Sequence, residues 1–128
     1  MHTYVKGARS ERELLNRFHS MGYSVLRSAG SGVNSLSPDI VVIKDGICLS
    51  FECKAWERES LALDAEQYEK LVWWRDNTEF PTYVGWRMNG AGWYFIELSE
   101  FEKGERSGNW NITRKKVLQS NRRLEDVF

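Results

Sequence analysis

The chain is poor in cysteine and histidine, the side chains that build soft-metal sites and serve as nucleophile or base in many covalent mechanisms. Of its 128 residues, two are cysteine and two are histidine. Two cysteines cannot make a disulfide framework. Cys48 and Cys53 also fall on opposite faces of one expected strand, so they should not pair with each other. A zinc centre needs a cluster of His and Cys ligands, which is missing. No Ser, Cys or His stands in a set suited to nucleophilic catalysis. The small-residue loop Ser28-Ala29-Gly30-Ser31-Gly32 has neither the spacing nor the lysine of a P-loop. No apolar run approaches the ~18 residues of a membrane span, and no signal-peptide pattern is visible. Repeats and low-complexity segments are absent as well. These absences lead us to expect one domain over residues 1–128 in the reducing cytoplasm, with no membrane partner.

Net charge is also missing, with 18 Lys and Arg against 18 Asp and Glu. The charges are nonetheless sorted along the chain. Residues 1–32 carry five basic and two acidic side chains, residues 33–102 six and thirteen, and residues 103–128 seven and three. Two basic ends around an acidic middle allow a positive face to form around an acidic pocket, or simply a solvated surface. Hydrophobic content of 41% and charged content of 28% are ordinary for a globular protein.

What the chain does have is the stretch Pro38 to Lys54, P-D-I-V-V-I-K-D-G-I-C-L-S-F-E-C-K. Two apolar, β-rich runs, Ile40–Ile43 and Ile47–Phe51, flank Lys44-Asp45-Gly46. Asp-Gly between such runs predicts a hairpin with a type I′ turn, whose two central residues need positive φ. With Asp45 and Gly46 in those places, Lys44 faces Ile47 and Asp39 faces Glu52. Alternation along a strand puts Asp39, Glu52 and Lys54 on one face. Directly opposed side chains stand roughly 4.5–5.5 Å apart at Cβ, so two carboxylates there repel unless something positive lies between them. Two carboxylates and one ammonium in an apolar hairpin suit a hard divalent cation beside a phosphate.

Before this hairpin, a short arm Met1–Val5 is expected to precede an amphipathic helix over Lys6–Met21, with Leu14, Leu15, Phe18 and Met21 as its stripe and Gly22 as its stop. Glu11 points with that stripe. Either it reaches water from the stripe's edge or it meets a cation. Tyr23–Arg27 reads as a short strand. The loop after it is either a plain linker or a place where a phosphate backbone comes close, with Ser31 donating. Beyond Lys54, Ala55–Ser60 reads as irregular, and Asp64-Ala65-Glu66-Gln67 as a helix start with Asp64 as N-cap. That helix carries Tyr68, Leu71 and Val72 and ends near Asn77-Thr78. Gln67, in its first turn, is within reach of the carboxylates. Trp73 and Trp74 are adjacent, so one should face outward, a candidate dimer contact. Thr82–Arg87 and Trp93–Leu98 form a second, aromatic hairpin, more suited to a core than to base stacking. Leu124 to Phe128 is expected to dock as a short tail. The fold class is α/β, a central mixed β-sheet flanked by helices.

Asp39 and Glu52, with Glu11 as a third candidate, supply oxygen ligands, which suit Mg²⁺ or Mn²⁺. Lys54 can position or help deprotonate a water and balance charge on a phosphate, so in-line phosphodiester hydrolysis is the reaction class these parts fit. Pro38-Asp39 followed by Glu52-Cys53-Lys54 resembles the P-D…E-x-K signature of the restriction-endonuclease-like nucleases. Around it, Lys6-Gly7, Glu11-Arg12-Glu13-Leu14, Gly22-Tyr23 with Val25 and Arg27, the Ala29-Gly30-Ser31-Gly32 loop and Glu66-Gln67 are similar to the archaeal Holliday-junction resolvases, from Lys6 to about Leu71. The resemblance implies a Mg²⁺-dependent homodimer, with Mn²⁺ able to substitute, that nicks opposed strands of four-way junction DNA. By the same resemblance Glu11, Asp39 and Glu52 are the acidic metal residues and the Cys53 carbonyl is a main-chain ligand. Lys54 becomes the catalytic lysine, Ser31 a residue near the scissile phosphate, and Gln67 a further match. Lys6, Arg9, Arg27 and Ser31 are then candidate DNA contacts. Two other readings share these residues: a nuclease for flaps or duplex DNA, and a non-catalytic junction-binding paralogue.

Overall fold

The computed structural model describes residues 2–28 and 36–128, with side chains from Ala8 onward. In chain order the elements are α1 (His2–Ser20), β1 (Ser24–Arg27), β2 (Ile40–Lys44), β3 (Ile47–Lys54), β4 (Ser60–Leu63), α2 (Ala65–Thr78), β5 (Thr82–Met88), β6 (Gly92–Glu97), β7 (Glu102–Lys103), β8 (Trp110–Thr113), α3 (Arg114–Ser120) and α4 (Leu124–Val127). The main sheet has the order β1-β2-β3-β5-β6, and its β3–β5 pair is parallel while the others are antiparallel. A parallel pair needs a long crossover, which β4 and α2 supply.

Asp45 and Gly46 have φ of 52° and 80°. This is the type I′ turn, and it fixes the register: Lys44 pairs with Ile47, Val42 with Leu49 and Ile40 with Phe51. Asp64 caps α2, its carboxylate accepting from the Gln67 amide at 2.7 Å, and Glu79 ends the helix in the left-handed region.

Both faces of the sheet are covered. On one, Leu14 and Phe18 of α1 meet Ile40, Val42, Phe51 and Phe95. On the other, Tyr68 and Leu71 of α2 meet Val84, Trp86, Met88 and Ile96. Leu61 and Leu63 of β4 and Ile112 of β8 complete this second layer, carried by a small antiparallel sheet of order β4-β8-β7. Trp86, Trp93 and Phe95 are buried, so the aromatics of the second hairpin are core.

Three expectations are corrected. Residues 2–5 are not an arm but the first turn of α1, which includes His2. Residues 55–59 are irregular as expected, and only Ser60 differs, because it opens β4, which pairs with Trp110–Thr113. The second hairpin begins at Thr82 as expected, but its first strand runs on to Met88 and its second spans Gly92–Glu97 instead of Trp93–Leu98. Of the two adjacent tryptophans, Trp74 bonds Ser50 Oγ at 2.9 Å while Trp73 is 63% exposed. No helix among the described residues is long and apolar enough to cross a membrane.

The end of the chain docks as expected. Leu124 is buried, and the Phe128 ring lies 5.1–5.6 Å from those of Phe18, Phe51, Tyr83 and Phe95. Phe128→Ala should therefore cost about 2 kcal/mol, less than for a fully buried ring. A urea midpoint unchanged from wild type would show that the tail is not part of the core.

Candidate active site

The site lies where β2 begins and β3 ends. Asp39 directly precedes β2, and its main-chain carbonyl accepts from Ser28 N–H at 2.9 Å. Its side-chain Oδ2 accepts from the Cys53 N–H at 2.8 Å, which ties the start of one strand to the end of the other. Glu52 stands opposite Asp39 in continuation of the hairpin register, on the face covered by α2. Gln67, in the first turn of that helix, donates from Nε2 to Glu52 Oε2 at 2.7 Å. The Asp64 cap thus orients the helix turn whose side chain orients the carboxylate.

Electrostatics follow from burial. The Glu52 carboxyl is pushed up to about 7, first by loss of water and then by the Asp39 charge; Lys54 and the hydrogen bonds pull the other way. Asp39 is also raised, mainly by burial, with the Cys53 amide lowering it and the Glu11 charge raising it. The Cys53 thiol is driven well up by burial and by the surrounding carboxylates, so it is an inert thiol.

Glu11 arrives from the α1 layer. Its side chain is 12% exposed, and its Oε1 accepts from Arg27 Nε at 3.0 Å. The cation it meets is therefore Arg27 of β1, on the opposite face of the sheet from Glu52. Among the described residues no three His, Cys, Asp or Glu side chains converge for a metal. Asp39 and Glu52 do converge, and Glu11 is close enough to act on Asp39 through its charge. Two desolvated carboxylates that resist ionising together fit a hard divalent cation, which commonly takes one or two protein carboxylates and keeps several waters. Lys54 Nζ lies 5.7 Å from the centre of the Trp56 ring, a contact the sequence reading missed because it took Ala55–Ser60 as irregular. Arg9 is exposed on α1. The Lys6 side chain and Ser31 lie outside the described residues.

A family model described as archaeal Holliday junction resolvase matches residues 2–128. The chain belongs to that family. Among curated relatives of the resolvase, the crossover junction endodeoxyribonuclease Hjc of Archaeoglobus fulgidus is 32% identical over 103 residues, 80% of this chain and 76% of that protein. Hjc of Methanocaldococcus jannaschii is 34% identical over 90 residues, 70% of this chain and 64% of that one. The solved structure of Archaeoglobus fulgidus Hjc, described as a Holliday junction resolvase, superposes with a TM-score of 0.77 at 29% identity, covering 89% of this chain and 88% of that one. A bacterial homing endonuclease, I-Ssp6803I, gives a TM-score of 0.56 at 16% identity, covering 88% and 78%, which is a likeness of fold. The resolvase fold is thus the restriction-endonuclease-like one, a mixed sheet flanked by helices.

The raised Glu52 has a consequence for stability. Its protonated form is the one that the fold accommodates, so its contribution is fully present below the ordinary value of 4.5 and lost as pH climbs through about 7. Without divalent metal, the loss should reach roughly 3 kcal/mol at full effect. The Tm in EDTA should fall from pH 5 to pH 8, and Glu52→Gln should flatten the slope. Equal slopes in the two proteins would show that Glu52 is not raised.

Proposed function

We propose that this family member is a Mg²⁺-dependent endodeoxyribonuclease, with Mn²⁺ able to substitute, that resolves four-way DNA junctions by paired symmetric cuts in recombination and repair. Residues 1–128 act as one nuclease domain, working in the cytoplasm on DNA. The reading rests above all on one observation. The opposed Asp39 and Glu52, with Lys54 two residues on, stand at the end of the hairpin in a chain that matches the resolvase family over nearly its whole length.

Asp39, Glu52 and the Cys53 carbonyl would hold the metal, with Glu11 as a further acidic member of the site. A bound Mg²⁺ supplies Lewis acidity toward the phosphate. The protein's own groups do the rest. Gln67 keeps the Glu52 carboxylate in one orientation, and the Cys53 amide does the same for Asp39. Lys54 positions the attacking water and balances charge that grows on the phosphate oxygens. By the family resemblance alone, Ser31 is assigned a role at the scissile phosphate. Lys6, Arg9, Arg27 and the basic residues after Lys103 meet the DNA backbone, so affinity falls steeply with salt. Arg27 has two roles in this reading, because the guanidinium that meets DNA also holds Glu11.

A homodimer with a two-fold axis presents two equivalent sites to strands of like polarity. The exposed Trp73 of α2, beside a groove of about 560 Å³ that Tyr68, Val72 and Trp110 also line, is the contact we assign to it.

The test is cleavage of an immobile four-way junction beside a flap and a plain duplex, in Mg²⁺ or EDTA. Asp39→Asn should lower junction cleavage by roughly two to three orders of magnitude. Junction binding should persist, and stability should hold or rise once one of two repelling carboxylates is gone. Paired nicks in the junction alone are the expected result. Cutting of the flap or duplex instead would move the protein to another substrate. Tight binding with no cleavage would leave a junction-binding paralogue.

A further inference from the structure

The residues just after Lys54 are not used by that reading, yet they gather around it. Lys54 Nζ and the Arg58 guanidinium lie 5.7 Å and 5.1 Å from the centre of one ring, that of Trp56. Within about 6 Å a cation is attracted by the negative face of an indole. Among the described residues, no carboxylate comes within ion-pairing distance of the Lys54 ammonium, although Glu52 precedes it on the same face.

The ring has a fixed seat. The Trp56 carbonyl accepts from Trp86 Nε1 at 2.8 Å, and its side chain packs on the core layer formed by α2 and the small sheet. Trp86 is fully buried and is itself the partner of Lys54 in the β3–β5 ladder. The residue beside Lys54 in the sheet therefore anchors the residue whose ring receives its ammonium.

A flexible lysine next to two buried carboxylates has an obvious alternative, which is to fold onto them as an ion pair. That would cancel charge a cation needs and tie up the amine. An indole face attracts the ammonium without neutralising any carboxylate. We infer that Trp56 is the positioning residue for Lys54, seating its ammonium at the edge of the site and off the Asp39–Glu52 pair. The inference rests on the nuclease reading for its effect on rate, but the seat itself can be observed without it.

Two substitutions test the aromatic face: Trp56→Leu removes it while leaving an apolar side chain, and Trp56→Phe keeps a smaller one. In the full-length protein with ¹³C-labelled lysine ε-carbons, one ε-methylene should resonate upfield of the rest through the ring current and vanish in Lys54→Arg. It should lose that shift in Trp56→Leu and keep part of it in Trp56→Phe. Single-turnover junction cleavage should fall about tenfold in Trp56→Leu with Kd within about twofold of wild type, and Trp56→Phe should recover most of the loss. On a Lys54→Ala background, Trp56→Leu should cost nothing further. An unshifted Lys54 in wild type, or equal losses in the Leu and Phe variants, would overturn the assignment. A wild type that cuts no DNA would instead refute the nuclease reading, with the lysine spectrum still deciding the seat.

Discussion

Everything at this site depends on one repulsion that the fold enforces. A type I′ turn at Asp45-Gly46 sets the register, the register brings Asp39 opposite Glu52, and two layers of core remove the water that would screen them. Neither carboxylate can relax by choosing another partner strand, because a shift of one residue would turn Ile40, Val42, Leu49 and Phe51 out of the core. The apolar pairs of the hairpin thus hold a pair of charges where they are least comfortable. Burial and like charge raise both groups, and a divalent cation would remove the cause.

The layers play different parts. From α2 comes Gln67, which bonds Glu52, and from α1 comes Glu11, already paired with Arg27 of β1. The third acidic residue is therefore neutralised from the side where DNA is expected to arrive. On the proposed reading, a phosphate that drew Arg27 toward itself would also loosen its hold on Glu11.

Much of this was legible in the sequence because it is local. Asp-Gly sets the hairpin, Asp64 with Gln67 marks the start of α2, and Leu124, Val127 and Phe128 give the last five residues enough apolar surface to dock as a short tail. The rest depends on contacts between distant residues. The β4–β8 pair joins residues near 60 to residues near 112 through strands of four residues each, too short to show a period. The sequence leaves Glu11 either reaching water or meeting a cation, and nothing there picks out Arg27, which reads equally well as a phosphate contact. His2–Val5 contains residues without strong helix preference, so the pattern there does not announce the helix, yet α1 runs through it. Lys54 over Trp56 was invisible for a further reason, since the chain between them follows no regular pattern.

The placement of the charged pair at the open end of the hairpin also bears on how the chain folds. Pairing that spreads from the turn closes Lys44 on Ile47 first, then the apolar pairs, and reaches Asp39 and Glu52 last. A nucleus built at the turn carries none of their repulsion. The penalty enters only after most contacts have formed, so it quickens unfolding more than it slows folding.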